Sequence, residues 1–233
     1  MKKLFSVIIL ISAFFCGINA QTLFDNENNR RHFGLRAGVD VSSASETKGV
    51  YSNRAGYELS LIYHLPVYKN FYFEPGFGFF FDSFGVDQTI NYFDSETEGR
   101  YVINNSGSLK NLGFRVPFNF GFHFDIKDNL AIHIFTGPMM NFSFRARYST
   151  DIDYPKEMTI EQFKKIEDMI FKGSAFGSGG FRNFDLQWNI GVGLSINRLY
   201  VSLSGAPGIT KLVKNDEYSF RRNLFQIKVG YDF

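Results

Sequence analysis

The chain contains a single cysteine, a single tryptophan and only six prolines among its 233 residues. The lone Cys16 cannot form an intramolecular disulfide, which excludes a disulfide-rich framework. No stretch after residue 20 approaches the roughly 18 consecutive apolar residues that a membrane-spanning helix requires. Neither sign of charge is in clear excess, because the chain contains 25 basic and 23 acidic residues. This balance argues against a nucleic-acid-binding protein.

The one continuous apolar run lies near the start of the chain, over residues 4–15. Two lysines precede it and an Ile-Asn-Ala segment follows it, which is the three-part pattern of a secretory signal peptide. The pattern predicts a cleaved signal peptide over residues 1–20. A lipoprotein signal at Cys16 is an alternative, which the bulky Phe15 disfavours, and a buried helix is a weaker one. Cleavage would leave no thiol nucleophile and no net charge.

From residue 32 onward, apolar residues alternate with polar or small ones over segments of about ten residues. A period of two is typical of β-strands with unlike faces, and eight such strands can be drawn. Their apolar faces lie within residues 33–41, 57–65, 71–81, 112–122, 130–144, 186–196, 199–209 and 225–233.

These apolar faces carry no charge, and the charged residues fall on the opposite faces. An eight-stranded barrel has an interior that its own side chains just fill, so the many phenylalanines must point outward. An uncharged aromatic exterior indicates lipid, where an Arg or Lys near the midplane costs about 2 to 4 kcal/mol. The sequence therefore predicts an all-β fold, an eight-stranded antiparallel transmembrane β-barrel over residues 32–233. A periplasmic segment over residues 21–31 precedes it.

The connections between the predicted strands alternate in length. The short ones are PVYKN, DIKDN and NR, which fits the periplasmic turns of an outer-membrane barrel and places both termini in the periplasm. The long ones, predicted as extracellular loops, cover residues 42–54, 83–111, 149–184 and 211–222.

Four prolines fall inside the proposed strands, where each removes a ladder hydrogen bond that lipid cannot replace. We therefore expect bulges or breaks at these positions and leave the strand register open there. They are Pro75, Pro117, Pro138 and Pro207.

One long loop contains MTIEQFKKIEDMIFK, in which apolar residues recur at helical spacing. Thr159 and Gln162 resemble a capping box, so we predict one short amphipathic helix. Its apolar stripe is expected to pack on the loops or the barrel rim. Contact with a partner protein or with lipid headgroups is the alternative.

Five segments carry a family resemblance: HFGLRAGVD, GYELSLIYHLPVYKNFYFEPGFGF, LGFRVPFNFGFHF, TGPMMNFSF and FDLQWNIGVGLSINRLYVSLSGAPGITKL. Through them the chain resembles the PorT-like outer-membrane β-barrel family over nearly its whole length. The resemblance implies an eight-stranded barrel in a Gram-negative outer membrane. Through the family's namesake it also implies an accessory role in protein secretion, although the long helix-bearing loop departs from that namesake.

The polar residues that alternate onto the inner faces of the strands are predicted to form a network in the lumen, in which opposite charges neutralise one another. All four histidines map to the periplasmic end, which disfavours a surface enzyme. A metal site built from three histidines and Glu74 is an alternative to the network. The predicted network residues are Arg36, Glu58, His64, Glu74, Arg115, His123, His133, Arg145, Asp185 and Lys228.

The chain stops on NLFQIKVGYDF, whose alternation predicts the eighth strand, which pairs with the first to close the cylinder. The outward residues of this strand, with their terminal aromatic, resemble the signal that barrel-assembly machinery recognises. They are Phe225, Ile227, Val229, Tyr231 and Phe233.

These observations favour a non-enzymatic outer-membrane barrel with a filled lumen, without cofactor or metal, acting as a structural component or interaction partner in the envelope. Its expected partners are outer-membrane lipid, the assembly machinery, and an envelope or secretion protein. The segment NYFDSETEGRYVINN, read as an extended hairpin, suits protein or glycan contact. The alternatives are a secretion accessory, an outer-membrane enzyme, a soluble ligand-binding barrel and a pore.

Overall fold

The structure is a computed structural model, and it describes residues 30–46, 51–94, 99–153, 159, 173–176, 180–212 and 220–233. The predicted signal peptide and, apart from Thr159, the predicted loop helix lie outside these residues. Within the described ranges, no helix is long and apolar enough to cross a membrane.

The described chain forms β-strands wherever aromatic and β-branched residues alternate with polar or small ones, a pattern that suits a pleated, half-buried surface. Nine strands belong to one sheet. They are β1 (His32–Glu46), β2 (Tyr51–Tyr68), β3 (Phe71–Asp94), β4 (Gly99–Lys127), β5 (Leu130–Asp153), β6 (Gly173–Ser174), β7 (Phe184–Ile196), β8 (Leu199–Ala206) and β9 (Phe220–Asp232).

Eight of these strands close into an antiparallel ring in the order β1, β2, β3, β4, β5, β7, β8, β9. The ring closes between β1 and β9, from the pair Gly34 and Asp232 to the pair Glu46 and Phe220. The two-residue β6 pairs with β5 beyond the end of β7. The predicted eight-stranded barrel is confirmed, and its closing strand is the one that the terminal alternation predicted.

Most large apolar side chains of the ring strands point outward. On β9, Phe225, Ile227 and Val229 are about half exposed, whereas the intervening Gln226 is buried. The outward apolar residues of β1 lie between positions 33 and 41, close to the roughly 9–11 residues that a tilted strand needs to cross a bilayer. The ring is therefore surrounded by an apolar belt.

The two ends of the barrel differ in their connections. Two-residue turns join β2 to β3, β4 to β5 and β7 to β8. Lys69 and Asn197 adopt positive φ angles of 50° and 53° in two of these turns, as tight reversals often require. We call this the turn end and the opposite end the loop end.

The β3–β4 connection is shorter than predicted. Residues 83–111 do not form a loop, because β3 continues to Asp94 and β4 begins at Gly99. Cross-strand pairing runs without a register shift from Phe81 opposite Leu112 to Asp94 opposite Gly99. The two strands therefore rise as a paired hairpin well above the apolar belt, as the alternative interpretation of NYFDSETEGRYVINN allowed.

No bulge forms at three prolines, but the local breaks that were the other predicted outcome are present, because Pro75 has no ladder partner on β2, Pro117 none on β3 and Pro138 none on β4. The ladders continue past Pro75, Pro117 and Pro138 with constant register. Each side chain keeps the inward or outward parity of its strand, so the missing N–H costs a hydrogen bond but no insertion. At Pro207 the break occurs as expected, because β8 ends at Ala206.

An apolar core fills the interior of the loop end. It gathers buried side chains from β3, β4, β5 and β9 with residues from the segments that follow β6 and β8. Such burial removes apolar surface from water at the loop end of the lumen. The core residues are Phe84, Leu109, Ala146, Ala175, Phe181, Leu212 and Phe220.

Candidate functional site

Arg115 of β4 lies fully buried in the barrel interior, and acceptors surround its guanidinium group. Its Nε–H donates to Asn141 Oδ1 at 2.8 Å, and its Nη2 donates to the two oxygens of Asp82 at 3.1 and 3.0 Å. Its Nη1 donates to Asp40 at 2.9 Å and to Glu58 at 2.6 Å. An arginine has five N–H donors, so this guanidinium is saturated.

Arg222 of β9 forms the second centre of the same interior. Its Nη1 donates to Asp82 Oδ2 at 2.6 Å, while its Nε and Nη2 donate to Asp185 Oδ2 at 3.1 and 2.8 Å. Asp82 therefore bridges two arginines, and Asn141 also donates to Asp185 at 3.3 Å. Each of these buried charges therefore has a group of opposite charge within hydrogen-bond distance, which offsets the cost of removing it from water.

Glu58 receives two further donors from β9, Lys228 Nζ at 2.6 Å and Gln226 Nε2 at 3.0 Å. The ring of Phe80 lies under both arginines, with the Cζ atoms of Arg115 and Arg222 at 4.4 and 5.2 Å from its centre. Such contacts add cation–π attraction to the ion pairs. The mid-barrel charge cluster comprises Asp40, Glu58, Asp82, Arg115, Asp185, Arg222 and Lys228.

The four histidines gather at the turn end, as the sequence predicted. The rings of His32 and His64 stack with centroids 4.7 Å apart, and His133 lies 6.4 Å from His64 and 5.8 Å from His123. Glu74 Oε2 lies 3.6 Å from His64 Nδ1. In the described part of the chain, no group of three or more His, Cys, Asp or Glu side chains has a geometry that could hold a metal ion.

A polar cavity of about 170 Å³ opens beside these histidines at the turn end. Buried Arg36 and His64 line its interior, and the exposed Arg30 and Arg198 line its mouth. Arg36 Nη1 lies 2.6 Å from Asp232 Oδ1, although the pair lacks the alignment of a hydrogen bond. The cavity can therefore admit a few water molecules or a small polar group.

One contact at this cavity resembles the contact between a catalytic nucleophile and its general base. Ser195 Oγ lies 3.0 Å from His133 Nε2 and 3.5 Å from the carbonyl oxygen of Ala131. A catalytic pair needs a third group that orients the histidine. Glu74 contacts His64 instead, and within the described residues no carboxylate forms a hydrogen bond with His133.

A family model described as the outer membrane protein beta-barrel domain matches residues 19–214, which is most of the chain. The chain belongs to this family. Members of the outer membrane protein beta-barrel domain family lie in the outer membrane. Short turns of such barrels face the periplasm, so we call the turn end the periplasmic end. The narrower PorT-like resemblance stays a prediction.

Several solved outer-membrane barrels are similar to this member of the family. Ail of Yersinia pestis, in complex with the heparin analogue sucrose octasulfate, is 13% identical, with a TM-score of 0.35, 88% of this chain covered and 99% of that chain covered. Neisserial surface protein A is 11% identical, with a TM-score of 0.40 and coverages of 86% and 97%. The N-terminal barrel of Pseudomonas aeruginosa OprF is 10% identical, with a TM-score of 0.34 and coverages of 88% and 100%. None of the curated proteins matches the chain.

The predicted lumen residues of this outer-membrane barrel divide between the two interior groups. Glu58, Arg115, Asp185 and Lys228 belong to the mid-barrel charge cluster, and the others except Arg145 lie at the periplasmic end. Their role as a stabilising network stays a prediction. The second set comprises Arg36, His64, Glu74, His123 and His133.

Arg145 does not belong to the lumen, so that prediction was wrong. The β4–β5 ladder shifts register so that Leu112 lies opposite Arg145 and Gly113 lies opposite Ser143. Phe144 is therefore an extra residue, and this β-bulge reverses the parity of β5 above it. As a result Arg145 is exposed on the outer wall and Ala146 is buried.

Three central residues, Asp40, Asp82 and Arg222, were not among the predicted site residues. Asp40 and Asp82 had inward parity, but nothing in the sequence singled them out from other inward polar residues. Arg222 was assigned to the end of a loop, although it shares the parity of Gln226 and Lys228. Extending the predicted last strand by one residue before Asn223 would have identified it.

Proposed function

We propose that this protein is a non-enzymatic outer-membrane barrel with a blocked lumen, acting in the cell envelope as a structural component or through contacts at its two ends. The observation that carries the proposal is the saturation of Arg115 by partners from β1, β2, β3 and β5 across the lumen. Side chains that are mutually paired in this way leave neither a water-filled path nor free donors for a ligand at that depth.

The two ends are where contacts with other molecules remain open. The apolar core closes the loop end, and the β3–β4 hairpin rises above it. At the periplasmic end, exposed arginines surround a shallow polar cavity. Interactions through such surfaces need neither transport nor catalysis. Export by a cleaved signal peptide and insertion by the assembly machinery belong to the same proposal.

Conductance measurements test the blocked lumen. The purified full chain is added to planar bilayers, and we expect no stable single-channel steps. Arg115→Ala with Arg222→Ala serves as the comparison, because removal of both guanidinium groups leaves unfilled space and repelling carboxylates. Stable nanosiemens-level steps from the unmodified chain would contradict the proposal.

Site-specific photocrosslinking in living cells tests the contacts. A photoreactive residue replaces Phe93 on the hairpin or Arg30 at the periplasmic mouth, and both positions are exposed. We expect a discrete adduct from at least one position and none from Leu59 on the apolar belt, which serves as control. A membrane hydrolase activity that Ser195→Ala abolishes in a fully assembled barrel would instead support an enzyme.

A further inference from the structure

Three basic side chains meet on the outer wall at the loop end: Lys110 of β4 with Arg145 and Arg147 of β5. We call them the outward basic cluster. Lys110 lies directly opposite Arg147 in the ladder, and all three side chains are exposed. Residues directly opposite each other in an antiparallel pair have Cβ atoms about 4.5–5.5 Å apart, so like charges there destabilise the pair. Such an arrangement calls for a counter-charge.

The described residues supply no counter-charge to this cluster. Within the described ranges, none of the three side chains takes part in a hydrogen bond or an ion pair. Three other basic residues of the barrel do have partners: Arg115 and Arg222 are paired with buried carboxylates, and Arg54 donates to the carbonyl oxygen of Gly107 at 3.1 Å. Among the described residues, the outward basic cluster therefore has no partner of opposite charge.

The position of the cluster indicates which environment provides that partner. Phe144, the residue before Arg145, is 55% exposed on the outer wall. Below it, the rings of Phe142 and Phe114 stack with centroids 4.9 Å apart. A strand rises about 3.4 Å per residue, so the charges begin within one or two residues of the aromatic belt. That is the depth at which hydrocarbon gives way to headgroups.

We propose that the outward basic cluster binds the phosphate group of an anionic lipid in the outer leaflet. Arginine and lysine are the residues that pair with phosphate oxygens, and two arginines with one lysine present donors from two adjacent strands. Phe142 and Phe144 below them offer an apolar surface for the acyl chain of the same lipid. This inference concerns the outer wall, so it holds or fails independently of the blocked lumen.

The test uses the full chain in maltoside micelles, which contain no phosphate, with arginine labelled by ¹⁵N. The probe is dihexanoyl phosphatidylglycerol, and dihexanoyl phosphatidylcholine and inorganic phosphate are the comparisons. We expect saturable shifts of the Arg145 and Arg147 Nε–H signals with the anionic lipid and weaker binding of both comparisons. Absence of saturation, or equal affinity for the zwitterionic lipid or for inorganic phosphate, overturns the proposal.

Variants test whether the shifts of the arginine signals arise from lipid bound at the outward basic cluster. Lys110→Gln, read at both arginines, is expected to weaken binding of the anionic lipid about tenfold, because one charge-assisted hydrogen bond is lost. Arg147→Gln, read at Arg145, provides a second variant in case the first does not fold. Arg221→Gln removes an exposed charge from β9 and should leave the affinity unchanged. Equal affinity in all three variants contradicts the assignment.

Discussion

At the scale of single residues, Arg115 shows how a charge can be buried in this barrel. It has no exposed surface, and every N–H of its side chain meets an acceptor. Removing one partner of such a group leaves the others buried and unpaired, which costs far more than the pair contributes.

We therefore expect Arg115→Gln to lower the free energy of unfolding by about 3 to 5 kcal/mol, because Asp40, Glu58 and Asp82 lose their shared cation. Arg115→Lys should also destabilise the barrel, since an ammonium group has fewer donors and no planar fork. Urea titration of the refolded protein in micelles measures both. Arg221→Gln, at an exposed position of β9, is the control, and an equally stable Arg115→Gln barrel would refute the prediction.

A second prediction at the scale of single residues concerns a glycine that lies close to an aromatic ring. A Cβ atom added at Gly121 would overlap the ring of Tyr72 on β3, whereas one at Gly205 would meet nothing nearer than Leu224 O at 4.0 Å. Gly121→Ala should cost about 1 to 3 kcal/mol by overpacking, and Gly205→Ala much less. Adding Tyr72→Leu to Gly121→Ala should recover part of the loss in urea titration. Additive losses would rule out the contact.

At the scale of elements, alternation alone was enough to predict the eight strands, their outward faces and the three short turns. The lipid-facing belt follows from the period-two alternation within each strand. This alternation can be recognised without knowing which strand pairs with which. Register is different, because it depends on pairs of strands. Arg145 was misplaced for this reason: an extra residue at Phe144 can be recognised only against the regular spacing of β4.

The bulge leads to a prediction about deletions in β5. Deleting Phe144 should preserve the barrel, because Ser143 and Arg145 would then face Gly113 and Leu112 in unbroken alternation. Deleting Ile134 from the same strand should abolish folding, since the side chains on one side of the deletion would change faces. Heat-dependent gel mobility and protease resistance report the folded fraction. Equal loss in both deletions would contradict the register.

The candidate site was partly predictable from the same alternation of inward and outward side chains. Inward parity placed the histidines and most of the charged residues in the lumen, but parity does not say which inward residues share a height. The pairing of Arg222 with Asp82, which are 140 positions apart in the chain, depends on the shear of the closed ring. No local pattern in the sequence contains that information.

At the scale of the whole molecule, the last residue contributes little to the finished barrel. Phe233 lies beyond β9 and is 66% exposed. Its backbone N–H donates to the carbonyl oxygen of Phe33 at 2.8 Å, and its ring contacts that of Tyr231 with centroids 5.4 Å apart. Its removal should therefore change the stability of the assembled protein by well under 1 kcal/mol, in the range of an exposed substitution.

We nevertheless expect deletion of Phe233 to reduce the amount of assembled barrel in cells several-fold, because we propose that assembly machinery recognises the outward residues of the closing strand, with Phe233 among them. Pulse-chase labelling with heat-dependent gel mobility measures the assembled fraction over time. Phe93→Ala, which removes an exposed aromatic from the hairpin, is the control. A normal assembly rate combined with reduced stability would mean that Phe233 acts only as part of the fold.

The mid-barrel charge cluster also bears on how the chain folds. Its members come from β1, β2, β3, β4, β7 and β9, so no hairpin contains a complete set of partners. A half-built sheet would hold unpaired carboxylates against hydrocarbon, where their desolvation is unfavourable. Partly inserted intermediates should therefore be sparsely populated, and strand pairing, charge neutralisation and closure of the ring should occur as one cooperative step.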